Sequence, residues 1–192
     1  AYGKADIKVP WELSRFQHAA VLGQAYWLTG DEKYAWEFVR QVDDWIDRNP
    51  PKFGVNWACT MDVAIRVANW VLGFYFFKDS PAFTDKFLIK FLKSLLTHGR
   101  HIMANLENKG ITNNHYLADL VGLIYLGIAF PEFKEAGSWR EFGIQELVKE
   151  MEKQLYDDGM DFEASTCYHR LALELFFYTA VLCQRNGIDL PQ

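Results

Sequence analysis

Apolar residues recur every three or four positions along almost the whole chain, and no stretch shows sustained apolar–polar alternation with β-branched residues. That pattern confines the chain to an all-α fold. Half of the 192 residues are hydrophobic and 16% are aromatic, enough to bury the core of one domain. The periodicity predicts seven helices, over residues 10–28, 32–48, 57–77, 82–106, 113–130, 139–156 and 165–185. Pro10 suits an early helical position, Asp31 caps the second helix, and Pro50 and Pro51 end it. Gly30 and Gly187 stand just past helix ends, where a left-handed residue is often needed.

Short turns such as 29–31 and 79–81 join neighbouring helices, so they are expected to stack as antiparallel hairpins. Residues 63–77 and 171–183 are apolar nearly all round, which suits an inner layer covered by more amphipathic outer helices. The expected architecture is an incomplete α/α toroid occupying residues 1–192 as one domain, with the seventh helix lacking a partner. Leu72, Phe76, Leu123 and Phe176 are expected inside.

With 20 basic and 25 acidic residues the formal net charge is −5, which argues against the broad basic face that nucleic acid or an anionic membrane surface requires. The longest uncharged apolar runs, 67–77 and 120–130, are about half of the ~20 residues of a membrane span. Cys59, Cys167 and Cys183 have no metal-type spacing, so neither a metal nor a cofactor is expected. On one helix Cys167 and Cys183 would stand ~24 Å apart, too far for a disulfide. The polar opening at residues 1–6 holds no signal peptide and no initiator Met, as in a processed or trimmed protein.

Three constellations carry chemistry. In Thr112-Asn113-Asn114-His115, a cap residue opens an apolar helix, and the first turn presents an amide, an imidazole and free N–H groups. Such a helix start favours an anion, a carboxylate among them. Equally, Asn is a common cap, and a lone His often only satisfies a carbonyl. Asp161 through Arg170 bring Tyr168, His169 and Arg170 to the mouth of another apolar helix. Tyr168 also continues a stripe with Leu171, Leu175 and Phe176, as a core aromatic would. Asn56 and Trp57 precede Asp62, Arg66 and Asn69, with Asp62 and Arg66 an i,i+4 pair. That polar face either braces helices through a buried ion pair or lines a cleft.

Taken in order, 55–66, 112–117 and 165–170, with 10–15 ahead of them, resemble the heparinase II/III and related alginate-lyase superfamily of polysaccharide lyases. The resemblance implies an α/α toroid followed by an antiparallel β-sandwich domain, which these 192 residues do not contain. It also implies an anionic uronate polysaccharide bound between the two domains, and a periplasmic or secreted location. By resemblance, Asn114 and His115 hold the uronate carboxylate and Tyr168 is acid and base in β-elimination. His169, Arg170, Arg66, Asp62, Asn69 and Trp57 would contribute to substrate binding.

The chemistry explains those residue types. The C5 proton of a uronate is weakly acidic beside an ionised carboxylate, so donors must stabilise the charge that grows as it leaves. A phenol with an ordinary pKa of ~10 needs cationic neighbours to serve as the base. Two rivals remain at this level. One is an inverting glycosidase using Asp62 with Asp161 or Glu163, since α/α toroids also host two-carboxylate hydrolysis. The other is a non-catalytic carbohydrate-binding helical scaffold.

Overall fold

A computed structural model describes residues 6–190, which form eight α-helices: α1 Lys8–Ser14, α2 Ala19–Thr29, α3 Lys33–Arg48, α4 Thr60–Phe77, α5 Asp85–Ala104, α6 Asn114–Ala129, α7 Ala136–Gln154 and α8 Thr166–Arg185. A 3-10 turn at Val55–Trp57 precedes α4. No strand occurs among the described residues, only an isolated bridge between Leu155 and Asp161.

From α2 onward the helices alternate between two layers. Helices α2, α4, α6 and α8 touch one another in chain order, while α3, α5 and α7 pack on the outside of their neighbours. This is the α/α-toroid arrangement of antiparallel hairpins. Composition explains the division: α4 and α6 bury most of their residues, whereas α3 and α5 bury one stripe and carry their charges outward. The tightest contact lies between α6 and α7. A Cβ at Gly127 would stand 2.6 Å from the Ala136 carbonyl oxygen and 2.9 Å from the Arg140 nitrogen, so only glycine lets the two backbones approach this closely.

The N-terminal helix expected over 10–28 is two helices. The chain turns at Phe16, which adopts the left-handed φ of 58° that a bulky residue takes only when held there. Its ring is the holder: it is 4% exposed and lies edge-on to Trp45 and Trp70, with centroids 6.5 and 5.4 Å away. The helix expected from residue 57 becomes the 3-10 turn followed by α4 from Thr60. Leu123 and Phe176 are buried, but Phe76 is half-buried and Leu72 is 41% exposed. An all-round apolar helix leaves its outward face undetermined, and in α4 that face falls on Leu72 and Tyr75.

A polar frame runs through this core. Arg66, fully buried, donates from Nε to His98 Nε2 (3.1 Å), from Nη1 to the Ser14 carbonyl (3.2 Å) and from Nη2 to the Asn56 carbonyl (3.0 Å). Its guanidinium lies 4.1 Å from the Trp45 ring centre and 5.7 Å from that of Trp57. Of the two alternatives for this polar face, bracing by a buried ion pair holds, but Asp62 and Arg66 do not pair with each other. Asp62 instead accepts from Arg15 Nε at 2.5 Å, and Asn69 donates to the Arg15 carbonyl at 2.8 Å. Thus α4 grips the α1–α2 corner.

His98 sits among Trp57, Trp70 and Trp45, at centroid distances of 4.5, 5.2 and 5.7 Å. Its Nδ1 donates to the Ser94 carbonyl (2.7 Å) while Nε2 accepts from Arg66, so the ring is neutral. Burial first, then the Arg66 and His101 charges, hold its pKa well below 6.5. The unfolded chain therefore binds the extra proton, and the stability His98 contributes is complete above pH ~7 and lost as pH falls below ~6.5. The advantage of wild type over His98→Gln in urea unfolding is expected to shrink by roughly 1.4 kcal/mol per pH unit in that range. A pH-independent difference would sink the assignment.

Candidate functional site

Asn113 starts α6 as its N-cap, its carboxamide oxygen accepting the His115 main-chain N–H at 3.0 Å. The sequence reading of this helix start holds at atomic level. Next in line, Asn114 is 4% exposed, and both its main-chain N–H (3.3 Å) and its Nδ2 (2.7 Å) donate to Glu163 Oε1. Its carboxamide oxygen is buried without a partner. The first turn of α6 therefore binds a carboxylate, supplied here by the loop between α7 and α8.

His115 points the other way. Its Nδ1 lies 2.6 Å from Glu107 Oε2, and this contact, although burial opposes it, raises the imidazole pKa. Glu107 comes from the polar stretch between α5 and α6, and its Oε1 accepts the Met61 N–H at 3.0 Å and the Cys59 thiol at 3.6 Å. Burial alone would raise this carboxyl, but the bonds from His115 and Met61 bring it down to about 2. Asp119, one helical turn past His115, accepts the Glu107 N–H at 2.8 Å. Burial, reinforced by the charge of Glu107, lifts the Asp119 carboxyl to about 8.

These groups open onto a cleft of about 950 Å³, walled by Trp11, Cys59, Thr60, Asn105, Glu107 and His115 among others. Glu107 had no sequence signal. A single acid in an irregular polar stretch has no periodicity to mark it, and its partners are 8 and 46 residues away.

The second constellation surrounds the start of α8. Residues 155–164 fold back on themselves through Tyr156 N–H to Met160 O (2.9 Å) and Phe162 N–H to Gln154 O (2.9 Å). Asp161, 2% exposed, accepts the Glu163 N–H and donates its own N–H to His169 Nδ1 at 3.3 Å. His169 is thus a half-buried brace of this loop. Tyr168, in the first turn of α8, is 47% exposed rather than a core aromatic, and its hydroxyl has no partner among the described residues. Arg170 is exposed and paired with Glu174 at 2.8 Å.

Of the residues singled out from sequence, His115 lines the cleft, while Asn114 is joined through Glu163 to the loop that leads to Tyr168. Neither Asn114 nor Tyr168 belongs to the cleft walls. Arg66, Asp62, Asn69 and Trp57 lie in the core frame, where Trp57 Nε1 donates to the Asn49 carbonyl at 3.2 Å. The bonds they make all serve the fold, and Asp62 Oδ2 is buried without a partner. Two-carboxylate hydrolysis loses its pair because Asp62 and Asp161 are 1% and 2% exposed and internally bonded, which leaves Glu163 without a second accessible acid among the candidates.

Over residues 3–191 the chain matches the family described as heparinase II/III N-terminus. It is 37% identical to a heparin-sulfate lyase of Pedobacter heparinus, over 96% of this chain and 28% of that protein. A heparin-sulfate lyase of Bacteroides stercoris is 35% identical over 97% of this chain and 31% of its own length. The crystal structure of heparan sulfate lyase HepC from Pedobacter heparinus superposes on the whole chain with a TM-score of 0.81 at 34% identity, using 31% of that structure. A crystal structure of heparinase III gives 0.85 at 27% identity, again over the whole chain and 30% of the other. The chain therefore spans less than a third of the length of these relatives.

Proposed function

The chain belongs to the heparinase II/III N-terminal family, and from that premise we propose that it is the toroid part of a polysaccharide lyase. The reaction is β-elimination at a uronic acid of a heparan sulfate-like polymer. Two further proposals come with it: a β-sandwich domain in the remaining length supplies the other wall, and the enzyme works outside the cytoplasm, in the periplasm or secreted. Among the described residues no helix is long and apolar enough to cross a membrane.

The observation that carries this reading is the convergence of two Asn114 N–H groups on one carboxylate oxygen at the N-terminus of α6. A uronate carboxylate entering the place held by Glu163 would meet the same donors and the positive end of the helix. Those donors stabilise the charge that develops on the carboxylate as the C5 proton leaves. His115, with its pKa raised by Glu107, adds a donor on the cleft side. Tyr168, exposed with a free hydroxyl, takes the C5 proton and returns one to the leaving oxygen.

The test is a lyase assay on the full-length protein with heparan sulfate, heparin, alginate and other uronate polymers. Ultraviolet-absorbing unsaturated uronate is expected, most rapidly from heparan sulfate, and none is expected from residues 1–192 alone. New reducing ends without the absorbing product would overturn elimination in favour of hydrolysis.

A further inference from the structure

Cys59, Glu107 and His115 enter the cleft from three separate elements: the residue before α4, the stretch between α5 and α6, and the first turn of α6. One sulfur, one carboxylate oxygen and one imidazole nitrogen all lie within 4.8 Å of one another. The closest pairs are His115 Nδ1 to Glu107 Oε2 at 2.6 Å and Cys59 Sγ to Glu107 Oε1 at 3.6 Å. We propose that these three residues form a binding site for a zinc-class divalent cation.

The donor set is the first argument. Sulfur, imidazole nitrogen and carboxylate oxygen are the three ligand types zinc takes, at ~2.3, ~2.0 and ~2.1 Å, whereas calcium and magnesium select oxygen alone. Around a tetrahedral ion those bond lengths put ligand atoms ~3.5 Å apart. No pair has to close by more than about 1.3 Å, and the 2.6 Å pair opens by about 0.9 Å.

The surrounding bonds are the second argument. The Glu107 backbone is tied by its N–H to Asp119, and the His115 backbone by its N–H to Asn113, so two of the three ligands stand on braced main chain. All three line the open cleft, leaving a fourth position free for water or an anionic ligand. Binding replaces the thiol S–H bond by a sulfur–metal bond and takes the imidazole nitrogen in its unprotonated form, and the displaced protons go to solvent. No electron transfer is involved. The linear spacing hid the site, because Cys59 and Glu107 are 48 residues apart.

Occupancy would take the His115 donor away from a substrate lying in the cleft, so the ion would inhibit elimination; this part rests on the lyase reading, while binding does not. The probe is Co²⁺ alone, titrated into the full-length protein and followed by absorption. One equivalent with a near-ultraviolet thiolate-to-cobalt band is expected, displaced by Zn²⁺. In Cys59→Ser, checked for an unchanged thermal melt, the band should vanish and affinity fall by about 100-fold or more, since even outer partners of a metal site are worth ~10–100-fold. The His115→Gln variant should lose affinity but retain a sulfur band. In the lyase assay, Cys59→Ser should lose Zn²⁺ inhibition, read as the ratio of its rates with and without the ion. Absence of the band, or a band unaltered in Cys59→Ser, overturns the site. Binding through Cys59 in a protein without lyase activity would uphold the site and refute elimination instead.

Discussion

Replacing Tyr168 by Phe in the full-length protein is expected to lower the rate of unsaturated-product formation by ~10²–10⁴-fold, the usual worth of a general acid–base group. Its thermal melt should hardly move. A lost hydrogen bond would cost ~1 kcal/mol, but this hydroxyl makes none among the described residues. The ring is 47% exposed, so nothing buried is left unsatisfied. KM should change little, because the ring and its place on α8 remain. Near-wild-type turnover would exclude the Tyr168 hydroxyl from proton transfer. A large loss of stability would place the hydroxyl in a structural contact instead.

The second large effect concerns the fold. Arg66→Ala is expected to destabilise by ~3–5 kcal/mol, since buried acceptors left without a donor cost ~1–3 kcal/mol each and a cavity opens beside them. That is a large share of a typical total of ~5–15 kcal/mol. The loss strands three acceptors at once: the Ser14 and Asn56 carbonyls and His98 Nε2. It also empties the space against Trp45 and Trp57. Arg66→Met, which fills most of the volume, should recover the packing part and leave the hydrogen-bond part. Urea unfolding gives both values. A loss below ~1 kcal/mol for the alanine variant would mean that the buried guanidinium does not hold the corner of α1 and α2.

Helical periodicity made the hairpins legible because helices in two layers must each hide an apolar stripe, and glycines with positive φ at Gly30 and Gly187 mark ends that local chemistry dictates. The break at Phe16 was not legible. No Gly or Pro interrupts the apolar pattern there, and the turn exists only because Trp45 and Trp70, from elsewhere in the chain, receive the ring. The polar face of α4 was visible, but its pairing was not, since an i,i+4 spacing cannot foresee an Arg15 that arrives 47 residues upstream of Asp62. At the site, Asn113 as a cap follows from its neighbours in sequence. The Glu107–His115 contact and the Asn114–Glu163 contact depend on how α6 meets two separate loops, information that no single segment holds.

The ordering of the inner layer also divides the proposed chemistry between units of unequal tenure. Asn114 and His115 belong to α6, which packs against α4, α5, α7 and α8, whereas the main helix contact of α8, which carries Tyr168, is with α6. In a stacked array each hairpin draws its stability from nearest neighbours, so opening of α8 does not require α6 to open. Fraying of that helix would carry the proton-transfer group away while the anion receptor stays assembled. A protein in that state would still hold its polymer and would not cut it.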